Sequence, residues 1–492
     1  MNFRIPNIKH STNLISRFAS EFINRVSSFI VFPLMIKYLS AEAYGVNTQI
    51  QTLSSYLLTL AGLGLGFYVI REYSGKIEIK VLSRRYRSSI LLVGISSTIL
   101  GSFFLIFTNQ INQFFFKVDW ANSIIQWGAG LVIFSALEQV IRDFLRARLR
   151  MVAYSISQIV QAIIYIFGVY AILTSGGNLL QLIQLTVFLR VLSCLGMEIY
   201  LLIIGEIEFW GEFNTLQEQL NIARWGLPIV ASTLSVTFIS TGDRAILGAL
   251  TNSTSVGVYG ASYQLANIIL AVGAPFWSML YPLMATFKNS GDPAGLSKVS
   301  RKYSNAFCIL GIPIFFGLLL IGSPTLGYFG KNVFALPLHI SLFILLGIFI
   351  SQFCAPVLYL AYIYQTPKTI FLITTICALV NSGLNILLIP YLGIFAAALN
   401  TTFTYALMDL LLIRLVPSTG IKEKDLYDYI NISKYLVSGT IMAIFLGIAL
   451  QVIPFNLFTL LMMVGCSAIV YFVVLLAMNK FKFTELTNPI LK

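Results

Sequence analysis

Charge is the scarcest ingredient of this 492-residue chain. Asp, Glu, Lys and Arg together make up only 10% of it, whereas a soluble domain carries about 25%. The five cysteines (Cys194, Cys308, Cys354, Cys377, Cys466) form no C-x-x-C pair, and there are only two histidines. That excludes a zinc finger and gives no sign of a disulfide framework; no metal site is expected. No G-x-x-x-x-G-K-[ST] string occurs, so no P-loop ATPase is built in, and GYFGKN (327–332) has the wrong glycine spacing. Long polar stretches are missing too, which leaves no room for a soluble catalytic domain.

What the chain has in abundance is apolar sequence: 57% hydrophobic residues and a mean hydropathy of +0.84. It comes in runs of about 20 residues, the length that crosses a bilayer as a helix with every backbone group bonded internally. The expected fold is an all-α polytopic membrane protein of about fourteen transmembrane helices. They lie near 14–36, 44–69, 88–108, 122–141, 152–173, 180–204, 225–250, 256–284, 304–322, 336–360, 368–389, 394–413, 435–454 and 457–478. The first run carries three charges and no small-residue cleavage motif, so a span is expected there and not a cleaved leader.

The basic residues orient these spans. Of the 32 Lys and Arg, Lys37, Lys117 and Lys331 alone fall on one set of alternate loops, and four lie inside spans. All the others lie on the opposite face, which by the positive-inside rule is cytoplasmic and carries both termini. The +13 net charge is thereby a topology signal and an attraction to anionic lipid headgroups, not a nucleic-acid footprint.

The chain also repeats itself. LSRRYRSS (82–89) precedes the third span as VSRKYSNA (299–306) precedes the ninth. LSAEAYGV (39–46) resembles LTNSTSVGVY (250–259), and GGNLLQL (176–182) and LGIFAAAL (392–399) each open a sixth span. The near-constant offset implies two parallel six-helix bundles in a pseudo-twofold arrangement, with a cavity between them and two C-terminal helices appended. The expected division is 1–204, 205–413 and 414–492.

The strings FPLMIKYLSAEAYG (32–45), STGDRAILGALTNSTSVGVYGASYQL (240–265) and PYLGIFAAALNTT (390–402) resemble the polysaccharide-transport branch of the multidrug/oligosaccharidyl-lipid/polysaccharide exporter superfamily. Within it the look-alikes are the Wzx-type flippases of O-antigen and capsule synthesis, and the resemblance covers the whole chain. It implies a flippase of the bacterial inner membrane and no enzymatic activity. The cargo it implies is an undecaprenyl-pyrophosphate-linked oligosaccharide, moved from the inner to the outer leaflet. A polysaccharide polymerase and a chain-length regulator would be partners. The superfamily also contains lipid II flippases and multidrug cation exporters.

Charges inside spans suit an anionic cargo. In ISRFASEFINRVSSF (15–29), Arg17, Glu21 and Arg25 share one helix face. Each costs roughly 2.5–3.5 kcal/mol at mid-bilayer, so the stripe is expected to border a wet cavity. Guanidinium forks match pyrophosphate oxygens, which makes Arg17, Arg25, Arg190 and Arg244 the candidate substrate-binding residues. Glu21, Glu198 and Asp243 are candidates for ion pairing or for coupling to H+ or Na+; Asp243 is expected to pair with a neighbouring helix, with span 1 one option. Structural ion pairs are the competing reading at each position. Glu138 and Asp409, near span ends, are expected to reach the interface.

The inner-loop clusters (Arg84, Arg85 and Arg87; Arg142, Arg146, Arg148 and Arg150; Lys298, Arg301 and Lys302) are expected to hold topology and, secondarily, to gather anionic lipid. Prolines 33, 228, 275, 282, 313 and 356 and the string GLGLG (62–66) are expected to interrupt or loosen spans. No cofactor is expected. The membrane potential can drive outward movement of a pyrophosphate, with coupled H+ or Na+ left open. A cation antiporter is disfavoured by four buried arginines against three carboxylates. A polytopic glycosyltransferase or polymerase would need a large outer loop, and the sequence has none.

Overall fold

The computed structural model describes Ile23 and residues 27–75, 77–416 and 421–479. The charged stripe Arg17, Glu21 and Arg25 lies outside the described residues. Among those that are described, the secondary structure is helical throughout, with no strand.

The helices are α1 (Ser27–Tyr38), α2 (Ala41–Ala61), α3 (Leu65–Glu72), α4 (Ile79–Ile106), α5 (Asn122–Ala147), α6 (Met151–Thr174), α7 (Leu179–Ile203) and α8 (Leu216–Leu250). They continue with α9 (Ser253–Asn289), α10 (Pro293–Phe329), α11 (Leu338–Phe353), α12 (Ala355–Tyr364), α13 (Pro367–Leu392), α14 (Ile394–Ile413), α15 (Tyr429–Val452) and α16 (Leu457–Asn479). Among the described residues, eleven helical segments are long and apolar enough to cross a membrane, and the bent pairs α2–α3 and α11–α12 make two more. With the shorter apolar α1, this is approximately the fourteen spans expected.

Helix ends are set by local chemistry. The Ser40 hydroxyl accepts from the Ala43 amide (3.1 Å) at the start of α2, and Asn178 and Gln181 form a reciprocal capping box on α7. The GLGLG string breaks its span as expected. Leu63 and Gly64 both take positive φ (49° and 69°), and α3 leaves α2 at 46°. Pro356 likewise follows a 41° break between α11 and α12. Pro228, Pro275, Pro282 and Pro313, however, stand inside uninterrupted helices. There the lost hydrogen bond is tolerated without a break.

The chain forms two compact units. One comprises Met1–Thr237 with Asn252–Val256, the other Phe238–Thr251 with Gly257–Lys492, so α8 contributes to both. In the first unit, Tyr73, Tyr86, Phe144, Leu145 and Leu201 form a buried cluster. The Tyr86 and Phe144 rings stand 4.4 Å apart, and the Tyr73 hydroxyl bonds Ser89 (2.7 Å) and the Arg85 carbonyl (2.9 Å). Where lipid is as apolar as the protein, helices associate through close packing and small residues. Gly128 of α5 shows this, lying against Ile50 and Phe104.

The internal repeat has a structural meaning in each unit taken by itself. Ser83, in the third-span string, accepts a hydrogen bond from the Glu208 amide (2.9 Å), in the loop after α7. Ser300, its counterpart, donates to the Leu426 carbonyl (3.4 Å), in the segment after α14. Each half thus ties the start of its third span to the chain that leaves its sixth.

Candidate functional site

The first unit buries a three-charge cluster. Glu138 on α5 is 1% exposed and receives Arg142 from one turn later on its own helix and Arg190 from α7, each at 2.7 Å. The spacing of Glu138 and Arg142 places them on one helix face. Arg142 also donates to the Gln161 side chain of α6 (2.7 Å). Two cations on one carboxylate leave a net +1. A cavity of about 380 Å³ adjoins the cluster, lined by Ser27, Gln51, Gln161, Tyr165, Thr186 and Arg190. Arg190 retains 29% of its side-chain exposure, so it is reachable from this cavity while its partner is not.

The expectation that Glu138 reaches the membrane interface is therefore corrected: α5 turns it into the unit, where two guanidiniums offset its desolvation. Asp409, given the same reading, is also buried, at 5% exposure. Arg190 and Glu198, eight residues apart on α7, have separate partners. Glu198 accepts a hydrogen bond from the Tyr86 hydroxyl of α4.

The second unit holds neutral hydroxyl and amide donors around one acid. Asp243 of α8 is fully buried. Its Oδ2 accepts from the Tyr259 hydroxyl of α9 (2.6 Å) and the Thr401 hydroxyl of α14 (3.1 Å), and its Oδ1 from the Arg244 amide (2.8 Å). Asp243 thus meets α9 and α14 through hydroxyl groups, while most of span 1, the option named from the sequence, lies outside the described residues. Arg244 points elsewhere, its guanidinium 4.4 Å over the Tyr263 ring. Next to Thr401 runs a chain of side-chain amides, Asn400 to Asn385 (3.1 Å), Asn385 to Asn381 (3.0 Å) and Asn381 to Thr404 (3.0 Å). The sequence reading missed this ladder because neutral amides carry no charge signal. The pairs Asn381/Asn385 and Asn400/Thr404, four apart on two helices, were the sign available.

The basic clusters are tied into the fold. Arg148 and Arg150 both pair with Glu206 (2.9 and 2.5 Å), and Arg148 donates to the Gly75 carbonyl (2.6 Å). Arg87 donates to the Glu208 and Glu212 carbonyls, Arg85 to that of Glu72, and Arg146 pairs with Asp143. Arg301 reaches Asp425 at 4.0 Å. Arg84 and Lys302 lie on α4 and α10 beside these residues. Burial alone would raise the Glu206 carboxyl, but hydrogen bonds from Arg150 and Arg148 outweigh it and hold the group below the usual carboxylate range.

Solved structures share this architecture. A lipid II flippase, MurJ in its inward closed conformation, aligns with a TM-score of 0.73 at 15% identity, over 95% of this chain and 99% of that one. An inward-facing multidrug resistance MATE family transporter of the MOP superfamily aligns at 0.62 and 12% identity, over 80% and 95%. Among curated sequences, the probable low-salt glycan biosynthesis flippase Agl15 of Haloferax volcanii is 23% identical over 447 residues, 87% of each chain. The probable flippase AglR of the same organism is 24% identical over 180 residues, 36% of this chain and 37% of its own length. Fold and relatives define the class: a multi-pass membrane protein with the architecture of the flippase and transporter structures named above. The sequence profile described as "Polysaccharide biosynthesis protein" matches residues 11–288. That is more than half of the chain, which belongs to this family.

Proposed function

We propose that the protein flips a polyprenyl-pyrophosphate-linked oligosaccharide, an O-antigen or capsule repeat unit on an undecaprenyl carrier, from the inner to the outer leaflet of a bacterial inner membrane. The observation that carries this reading is the net-positive Arg142–Glu138–Arg190 cluster beside a cavity lined in part by Gln51, Gln161 and Thr186. Guanidinium forks suit pyrophosphate oxygens, and Glu138 holds Arg190 in place between cargoes. The printed name of the Haloferax relative Agl15, a probable glycan biosynthesis flippase, supports a glycan-bearing cargo.

The excess of Lys and Arg on one set of loops supports cytoplasmic termini. Alternating access of the two halves would carry the headgroup while the lipid tail stays in the bilayer. A diphosphate with about two charges gains roughly 2.3 kcal/mol per charge per 100 mV on moving outward, enough to direct transport without ATP. Polymerase and chain-length regulator would receive the product at the outer face.

A lipid II cargo is the nearest rival. The test is flipping of a fluorescent oligosaccharide-pyrophosphate polyprenol, against lipid II, in proteoliposomes under an imposed potential. The proposal expects transport of the former, acceleration by an inside-negative potential and at least a tenfold loss in Arg190→Gln. Lipid II flipping alone, or an Arg190→Gln rate equal to wild type, overturns it. A second reading concerns coupling: the fully buried Asp243, bonded to two other helices, is suited to exchange a proton or Na+ during the cycle.

A further inference from the structure

Helices α6 and α7 leave a cleft of about 360 Å³ between them. Ile156, Val160 and Leu192 on its walls are about half exposed (55%, 48% and 46%), as befits a surface that meets hydrocarbon. Gly196 opens the cleft further: a Cβ there would find no atom within 4 Å. Three features separate it from an ordinary lipid-facing groove. Ser157, Gln161 and Ser193 line it, and the Ser193 hydroxyl is buried without a hydrogen-bond partner. Its deep end shares Gln161 and Leu189 with the cavity that Arg190 lines. And Gln161 is the residue that Arg142 of the charged cluster grips.

Depth separates the two lipids that could lie here. Arg190 stands near the middle of α7. The α6 wall from Ala153 to Ile164 is roughly 16 Å long at 1.5 Å per residue, about half a 30 Å hydrocarbon core. A resident phospholipid would keep its phosphate at the Ala153–Tyr200 end of the cleft, at the interface, whereas a lipid in passage would bring its phosphate to the level of Arg190 at the other end. The net +1 of the cluster complements such a phosphate, and an apolar cleft leading away from it complements the chain attached.

We propose that the α6–α7 cleft seats the polyprenyl chain of the cargo, with the pyrophosphate at Arg190 and with Gln161 and Leu189 as the threshold between tail and headgroup. The Gln161 amide, which carries two N–H donors, would pass from the cluster to the arriving phosphate. This inference rests on the proposed cargo and adds the route of its tail.

The test uses the full-length protein in proteoliposomes with two photoreactive probes: a polyprenyl pyrophosphate with a diazirine on its chain, and a phosphatidylglycerol with one on an acyl chain. Gly196→Leu fills the cleft, and Gly465→Leu, on α16 where a Cβ also meets nothing, is the control. Ser193→Leu narrows the cleft from a neighbouring turn and answers the question should Gly196→Leu not fold. The expected result is polyprenyl labelling of peptides from α6 and α7 that falls at least fivefold in the filled variant and in Arg190→Gln. Flipping should fall in parallel in the filled variant, with Gly465→Leu at wild-type levels. Equal labelling by phosphatidylglycerol, unaffected by Arg190→Gln, would mark the cleft as an ordinary lipid seat and overturn the inference. So would wild-type flipping by the filled variant. In both cases wild-type transport of the oligosaccharide lipid would persist; its absence would instead sink the cargo assignment.

Discussion

Arg142 and Arg190 share one carboxylate, Glu138, although they reach it from different helices. The acid stands 2.7 Å from each guanidinium, a shared anion for two cations. Glu138→Gln would leave two guanidiniums facing each other in a poorly solvated space. The expected loss is about 3–5 kcal/mol, the usual effect of breaking a buried pair from one side. Thermal unfolding in detergent would register it, and Glu138→Gln/Arg142→Gln should recover part of the loss. An unchanged midpoint in the single variant would show that the cluster is already hydrated.

Glu206 gives the protein an acid-sensitive fastening. Its folded-state carboxyl lies below the usual range, so the stability it contributes is fully present above the unfolded value of about 4.3 and is lost as pH falls through the lower folded value. Wild type should therefore exceed Glu206→Gln in stability at pH 6–7, and the two curves should converge in the acid range. A gap that widens on acidification would contradict the Arg148–Glu206–Arg150 pairing.

Glycines of identical chemistry should respond oppositely. A Cβ on Gly226 would collide with the backbone of Leu63 and Gly64, so Gly226→Ala should cost about 1–3 kcal/mol through forced displacement. Gly465, inside α16 with open space around it, should gain up to about 1 kcal/mol on replacement by Ala from helix propensity. Paired melting curves of the two variants check the sign of each.

Asp243→Asn should keep the fold, because an amide oxygen can still accept from Tyr259 and Thr401. Transport in this variant is expected to lose any response to an imposed H+ or Na+ gradient while keeping its response to the electrical potential. Flipping rates measured under each gradient separately distinguish the two.

Most of the fold was legible because lipid allows so few solutions. Runs of 20 apolar residues had to be helices, and the Gly-rich string 62–66 had to weaken one. The sites were legible only in part. Arg190, Asp243 and Arg244 stood out as charges in mid-span. Glu138 did not, because its place near a span end suggested escape to water, and only the rotation of α5 against α7 shows that it turns inward. Arg142 was counted with loop arginines for the same reason. The amide ladder of Asn381, Asn385 and Asn400 depends on two helices meeting, which no single-segment reading reveals. Ser83 and Ser300 are the opposite case: they stand at matching places in the repeated string, and each bonds the segment that follows a later helix of its own unit, α7 for Ser83 and α14 for Ser300.

The elbow between α2 and α3 has a mechanical corollary. Gly64 and Gly226 meet main chain to main chain, with no side chain between them to act as a cushion. A joint of that kind cannot be re-angled by swapping rotamers. If the elbow straightens or tightens during a transport cycle, the first turns of α8 are dragged along, so the bent span and the long helix form a single lever.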